Sequence, residues 1–245
     1  MASLTRRFAL AATALAFLLL VMPALASAAI TVTNTNDTGA GSLRAAITTA
    51  NGSPTVATAI NFSVSGTITL GSALPAIANS SPNGSLTIDG SGQSITVYGV
   101  SSYQIFSVNS GATLNLRNLT INDGLATDGG GADNAGILTV TNCTFSDNFA
   151  DLGGGIDNEV DGTLTVTNTT FAGNVTPNGL GGGISNDGGT MTVTNSTFSG
   201  NSATGGLGGG GIQRRRRDAE GQRSGRRIRW ELRFFLSDRR RLQHL

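Results

Sequence analysis

Basic and thiol side chains are nearly absent from most of this sequence. The chain of 245 residues contains no lysine, a single histidine and a single cysteine. Between residues 29 and 212 the only basic side chains are Arg44 and Arg117, because His244 lies next to the C-terminus. Cys143 has no cysteine to pair with, which excludes an internal disulfide. Without a basic neighbour to stabilise its thiolate, Cys143 is predicted to be a small, partly buried side chain rather than a reactive one.

Residues 29–212 have few basic side chains, and residues 213–245 have few acidic ones. Residues 29–212 carry eleven acidic side chains against two arginines, whereas residues 213–245 carry twelve arginines against four acids. The formal net charge of +1 for the whole chain therefore hides an acidic segment followed by a strongly basic tail. Such a tail is one signature of binding to nucleic acid or acidic lipid.

The first 28 residues have the form of a secretory signal peptide. Two arginines, Arg6 and Arg7, precede the apolar run Phe8–Val21, and small residues occupy positions 26–28. The alternative is a membrane anchor, but the run is short, and small residues rather than charges follow it. We expect cleavage after Ala28, no later transmembrane span, and an exported protein that is extracellular or at the cell surface. Association with an outer membrane stays open.

Four similar segments follow one another between residues 111 and 212. They begin at glycines 111, 136, 162 and 189, with spacings of 25, 26 and 27 residues. Within each segment apolar residues alternate with polar ones, which predicts strands with one inward face. The aligned segments give four apolar columns: Leu114, Leu138, Leu164 and Met191; Leu116, Val140, Val166 and Val193; Ile121, Phe145, Phe171 and Phe198; Ala132, Ile156, Ile184 and Ile212. Stacked columns predict a β-solenoid with a continuous core.

Threonine and asparagine recur at fixed positions in the same segments. Threonines 139, 141, 163, 165, 167, 190, 192 and 194 alternate with the apolar columns, which predicts an uncharged outer wall. We expect the asparagines to form corners and to bond to one another in ladders along the axis, since asparagine tolerates left-handed backbone angles. They form three columns: Asn118, Asn142, Asn168 and Asn195; Asn148, Asn174 and Asn201; Asn134, Asn158 and Asn186.

A change of reading frame explains the basic tail better than a binding function does. Read one nucleotide later, the codons for residues 213–222 can encode Asn-Asp-Gly-Gly-Gly-Thr-Leu-Arg-Val-Asn, which resembles residues 185–193. The codons for residues 228–231 can likewise encode Phe-Ala-Gly-Asn, the sequence of residues 171–174. We therefore interpret residues 213–245 as an out-of-frame, disordered tail on a protein truncated by a frameshift. We expect no nucleic-acid partner.

The part before the regular segments is less periodic. Residues 29–55 are predicted to form an N-terminal cap, with a short helix over Gly41–Ile47 and Ser42 as its N-cap. A cap is expected because the end of a solenoid exposes unpaired strand edges. Residues 56–110 alternate like strands without a clean repeat, so we interpret them as irregular rungs before the regular repeats of residues 111–212.

Two sets of motifs resemble known bacterial families. The Gly-Gly-Gly-Ile motifs of residues 153–156 and 181–184, paired with Phe-x-x-Asn at 145–148, 171–174 and 198–201, resemble repeats of polymorphic outer-membrane proteins. Residues 35–47 resemble the start of secreted proteins with a CSLREA-type segment. The resemblance implies an all-β fold, a right-handed parallel β-helix of the pectate-lyase-like kind with a short N-terminal capping helix. It also implies a surface or secreted protein of adhesin type.

Catalysis on such a fold needs particular side chains. Polysaccharide lyases of this shape use a basic proton abstractor beside acids that hold Ca²⁺, and hydrolases use facing carboxylates. Only Arg44 and Arg117 are available as bases. Arg117 has Asp123 close to it along the chain, but an isolated surface arginine is usually solvated. Several turn acids could bind Ca²⁺: Asp147, Asp151, Asp157, Glu159 and Asp161. The spacing of Ca²⁺-binding β-rolls is absent, so we favour solvated acids and no cofactor.

The sequence thus favours a non-enzymatic, adhesin-like or structural scaffold, whose polar wall contacts glycans or other cell-surface components. A polysaccharide lyase-like enzyme is the alternative. A further alternative treats the threonine rows as a regular hydroxyl array like that of ice-binding solenoids. Asn115, Arg117 and Ile137 interrupt this array, and threonine is in any case a good strand residue.

Overall fold

The protein is a right-handed parallel β-helix of about six turns, as the sequence predicts. The computed structural model describes residues 28–79, 84–177, 179–204, 208–217 and 229–235, so residues 1–27 of the predicted signal peptide lie outside the described part. Successive turns place their strands side by side in three long sheets. Within the described ranges, no helix is long and apolar enough to cross a membrane.

Strands are numbered in chain order and belong to three long sheets and one short pair. Sheet A contains β1 (Ala28–Val32), β2 (Thr58–Phe62), β4 (Leu86–Asp89), β7 (Thr113–Arg117), β10 (Ile137–Thr141), β13 (Thr163–Thr167) and β17 (Thr190–Thr194). Sheet B contains β3 (Gly66–Thr69), β5 (Ile95–Tyr98), β8 (Thr120–Asn122), β11 (Thr144–Ser146), β14 (Thr170–Ala172) and β18 (Thr197–Ser199). Sheet C contains β6 (Phe106–Val108), β9 (Ala132–Asn134), β12 (Ile156–Asn158), β16 (Ile184–Asp187), β20 (Gly211–Arg217) and β21 (Arg229–Phe235). A short pair, β15 (Val175–Thr176) and β19 (Ser202–Ala203), completes the set.

The predicted N-terminal helix is present as α1 (Leu43–Asn51). Ser42 is its N-cap, and its side chain accepts a hydrogen bond from the amide of Ala45 at 3.2 Å. The apolar face of α1 is buried, and the helix packs against β1 and β2. Arg44 is held by Asp37 and by the carbonyl oxygens of Ser72 and Ala73. The helix therefore covers the first turn, as expected for a solenoid cap.

The apolar columns of the sequence form the core in the predicted register. Leu138 pairs with Leu114 and Leu164, and Phe145 pairs with Ile121 and Phe171. All six side chains are fully buried. The phenyl rings stack along the axis, with centroids 5.2 Å apart for Phe145 and Phe171 and 4.8 Å apart for Phe171 and Phe198. Burial is weaker in the turn of β17 and β18, where Met191, Val193 and Phe198 are only partly buried.

One residue falls out of its predicted column. The structure pairs Ile184 with Gly211 and Ser185 with Ile212, so the expected stacking of Ile212 on Ile184 is wrong. The cause is a fourth glycine. Three glycines precede Ile184, whereas residues 208–211 are four glycines, and the amide of Gly182 bonds to the carbonyl oxygen of Gly208. One extra residue shifts the strand by one position, and a shift of one residue exchanges the two faces of a strand.

Part of the basic tail is also ordered as strands. β20 extends sheet C beyond β16, and β21 pairs with β20 in the antiparallel sense. This differs from the expectation of a disordered tail over residues 213–245, of which the structure describes residues 213–217 and 229–235. The backbone of β16 offers a row of hydrogen-bonding groups that a following strand can pair with, whatever its side chains.

The glycine clusters before the sheet C strands β9, β12 and β16 are required by close contact between turns. A Cβ atom placed on Gly155 would lie 2.4 Å from the carbonyl oxygen of Gly183 in the next turn. Gly153 has a φ of +55°, in the left-handed region that glycine adopts most readily. The repeated glycines thus allow the chain to bend tightly into β9, β12 and β16.

Candidate functional site

Three carboxylates converge beside sheet C. Asp133 lies on β9 and Asp157 on β12, and the two residues are direct partners in the parallel register. Glu159 follows β12, and its amide donates a hydrogen bond to the carbonyl oxygen of Asn134 at 3.0 Å. One oxygen from each of the three carboxylates lies within 4.8 Å of the other two. We call Asp133, Asp157 and Glu159 the acidic triad.

Burial makes this cluster unlike an ordinary group of surface acids. Asp157 is only 2% exposed, and Asp133 and Glu159 are half-buried. The side chain of Ser185, next to Asp157 in the register, hydrogen-bonds to the Asp157 carboxylate. Oδ1 of Asp133 and Oδ1 of Asp157 are buried and have no hydrogen-bond partner. A buried carboxylate oxygen left without a donor costs free energy, so the triad is electrostatically strained.

The pKa values of the triad reflect this strain. Burial raises the pKa of Asp157 to about 7; the hydrogen bond from Ser185 opposes this increase, and the charges of Asp133, Glu159 and Asp128 add to it. Burial and the charges of Glu159 and Asp128 raise the pKa of Asp133 to about 6. The pKa of Glu159 is also raised, by burial and by Asp128 and Asp187.

Stability should therefore fall as pH rises when no cation is present. The folded state holds protons on Asp133 and Asp157 up to about pH 6 and 7, whereas an unfolded aspartate loses its proton near 3.8. The stabilisation of the folded state by these two protonated carboxyl groups is thus complete below about pH 4. It is lost as pH rises through 7, with a loss on the order of 3 kcal/mol. Urea unfolding in EDTA at a series of pH values measures it. Asp157→Asn should flatten the profile; equal profiles for both proteins would contradict the prediction.

The predicted asparagine columns occupy three different environments. In the first column all four side chains lie at corners with φ between 50° and 55°, and Asn142 donates to Asn118 at 3.3 Å. The second column is a buried ladder, in which Asn148 donates to Asn174 at 2.9 Å and Asn174 donates to Asn201 at 2.8 Å. In the third, Asn134 donates to Asn158 at 2.6 Å, and Asn158 donates to Asn186.

The threonine rows form a regular outer wall on sheet A. Thr139, Thr165 and Thr192 are in register across β10, β13 and β17, and the same holds for Thr141, Thr167 and Thr194. The register continues to Asn115 and Arg117 on β7, so the rows end there. Ile137, which is 47% exposed, lies between Thr113 and Thr163. The wall is therefore uncharged over three turns, and polar apart from Ile137.

The remaining candidates from the sequence are not gathered into one site. Arg117 pairs with Asp89 across β4 and β7, whereas the carboxylate of Asp123 accepts a hydrogen bond from the hydroxyl of Ser101 at 2.7 Å. Cys143 is buried, and burial raises the pKa of its thiol to about 11, which makes it a poor nucleophile.

Only two of the five turn acids named from the sequence reach the acidic triad. Asp157 and Glu159 belong to it, whereas Asp147, Asp151 and Asp161 are exposed. Asp133 was missed, although the signal was present: Asp133 follows Ala132 as Asp157 follows Ile156, within one aligned column.

Comparisons with known proteins assign no family to this chain. No family model matches it, and the search of curated proteins gives no match either.

Proposed function

We propose that this protein is an exported, non-enzymatic scaffold of adhesin type that acts outside the cell or at its surface. The observation that supports this proposal is the threonine wall of sheet A, an uncharged surface with threonines in register over three turns. Repeated hydroxyl groups at the strand spacing of about 4.8 Å suit multivalent contact with repetitive partners such as glycans. The N-terminal sequence, with the form of a signal peptide, agrees with export.

We also infer that a frame change interrupts the repeats near residue 213. In the alternative reading frame, position 213 becomes asparagine and position 214 becomes aspartate. The register pairs these positions with Asn186 and Asp187, so the change would place like residues on each other and continue the third asparagine column. Sequencing the gene through this region on independently prepared DNA tests the inference, because a restored frame should continue the repeats downstream.

Binding to glycans and cells tests the scaffold function. We expect the purified chain to bind saturably to at least one glycan or cell surface. Because Thr165 and Thr192 lie on the wall, the double variant Thr165→Arg, Thr192→Arg should weaken this binding about tenfold or more through bulk and desolvated charge. Asp147→Asn, in an exposed turn, is the control and should bind normally. Absence of saturable binding, or equal binding by the wall variant, would argue against the proposal.

A lyase-like enzyme is the alternative with a direct test. Arg117 beside Asp89 is the pair that comes closest to a basic proton abstractor with an acidic neighbour. Formation of unsaturated products from pectin or alginate in the presence of Ca²⁺ would support this alternative, and loss of that activity in Arg117→Gln would assign the base. No unsaturated product would reject it.

The threonine rows are also the observation that favours the alternative of ice binding. The in-register threonines extend over three turns of sheet A, and Thr144, Thr170 and Thr197 form a further row on sheet B. Ile137, Asn115 and Arg117 shorten the array on sheet A. Thermal hysteresis of the purified chain decides this alternative, which a value of zero would exclude.

A further inference from the structure

We propose that the acidic triad binds one calcium ion, held by a carboxylate oxygen from each of Asp133, Asp157 and Glu159. The three oxygens lie within 4.8 Å of one another. Two ligands on opposite sides of a Ca²⁺ ion are about 4.6–5.2 Å apart, since each Ca–O bond is about 2.3–2.6 Å long. A single Ca²⁺ can therefore contact all three carboxylates with little movement.

The unpaired oxygen of Asp157 is the observation that distinguishes this cluster from solvated surface acids. Asp157 is almost fully buried, yet its Oδ1 has no hydrogen-bond donor. Oδ1 of Asp133, its direct register partner, is buried and unpaired in the same way. The charge of Asp133 acts unfavourably on the buried carboxylate of Asp157, and a cation bound by both would remove this repulsion and supply a partner to the unpaired oxygens.

The chemistry of the three ligand atoms determines which kind of metal ion fits the site. All three donors are carboxylate oxygens, which suit hard cations and not the softer metals that favour nitrogen or sulfur. Mg²⁺ requires opposite ligands about 4.0–4.2 Å apart in a nearly ideal octahedron, whereas Ca²⁺ accepts longer and less regular arrangements. Asp133 and Glu159 are half-buried, so solvent can supply the remaining ligands.

The surrounding charge also favours a divalent cation. Asp128 lies close enough to act electrostatically on all three carboxylates of the triad, which adds negative potential to theirs. Arg44 binds Asp37, and Arg117 lies beside Asp89. On β20, Arg214 pairs in register with Asp187 of β16, and not with a member of the triad. Because Asp133 belongs to one turn and Asp157 and Glu159 to the next, the ion would link two turns of the solenoid.

Calorimetry and thermal unfolding of the full chain test the site. Titration with CaCl₂ should show one ion per chain, with a dissociation constant in the range of about 0.1–1 mM that is typical of extracellular modules. At about tenfold excess over that constant, Ca²⁺ should raise the melting temperature by about 3–6 °C. MgCl₂ at the same concentration should have a clearly smaller effect, and NaCl of equal ionic strength controls for screening.

Matched variants locate the ion. Asp157→Asn should abolish the Ca²⁺ response, while Asp147→Asn, which removes the same charge from an exposed turn, should keep it. In EDTA at about pH 8, Asp157→Asn should be at least as stable as the parent, which separates loss of the ion from misfolding. Should that variant fail to fold, Glu159→Gln at a half-buried position provides the same comparison. A parent chain without a Ca²⁺-specific response, or folded triad variants that retain it, would overturn the proposal.

Discussion

Phe171→Ala should lower the free energy of unfolding by about 3–5 kcal/mol, the range found for removing a fully buried phenyl ring. Phe171 lies at the centre of the ring stack, 5.2 Å from Phe145 and 4.8 Å from Phe198, and is completely buried. The large effect is expected because the interior of a solenoid is narrow. The ring of Phe171 stacks on the rings of the turns on both sides, so the cavity cannot be closed by one neighbour moving inward.

Urea unfolding followed by circular dichroism measures this loss. Ile137→Thr is the control, since Ile137 is 47% exposed and its register partners Thr113 and Thr163 are threonines. That change should alter stability by no more than about 0.5 kcal/mol. If Phe171→Ala cost less than about 1 kcal/mol, the ring stack would not be the core of the protein.

Asn174→Ala should be almost as destabilising, by about 3 kcal/mol or more, although it removes a small polar side chain. The Oδ1 atom of Asn174 accepts from the backbone amide and the side chain of Asn148, at 3.1 and 2.9 Å. Its Nδ2 atom donates to the carbonyl oxygen of Phe145 and to Asn201, at 2.9 and 2.8 Å. The substitution removes these four hydrogen bonds from a buried ladder, and each buried group that loses its partner costs about 1–3 kcal/mol.

The melting temperature provides the measurement, with an expected decrease of about 6–12 °C. Asn174→Asp is an informative second variant because it keeps the shape but replaces the donor Nδ2 by an acceptor facing two other acceptors. It should also be destabilising at neutral pH. Asn195→Gly is the control, since Asn195 is exposed at a corner with a φ of 50° that glycine adopts easily. Equal melting temperatures for all four proteins would refute the buried ladder.

The fold could be predicted because the sequence patterns that specify it are local and repeated. An alternation of apolar and polar residues defines each strand, and the recurrence of Leu114, Leu138 and Leu164 aligns one strand with the next. The helix α1 could be predicted in the same way, from Ser42 and the apolar residues after it. Column analysis failed at Ile212 because one inserted glycine changes the register without changing the motif.

The acidic triad could not be assembled from sequence for a different reason. Glu159 follows the end of β12, so its approach to Asp133 depends on how the chain leaves the strand and bonds to Asn134 in the previous turn. The alternation of apolar and polar residues also places Asp157 at an outward position. Such positions are taken to be solvated, so the sequence does not indicate that Asp157 is buried. Proximity and burial together make the site, and both depend on the three-dimensional path of the turns.

The stacking of like residues has a consequence for how such a protein can change over generations. Thr144, Phe145 and Ser146 pair directly with Thr170, Phe171 and Ala172, so equivalent strands of successive turns carry similar residues. If one repeat were deleted, the equivalent strands on either side of the deletion would pair with each other. The new neighbours would present nearly the same groups as the old ones, so the energy of the junction would barely change. Duplication or deletion of a whole repeat should therefore change the stability of the fold little. The number of repeats can accordingly change more readily than the individual residues within them.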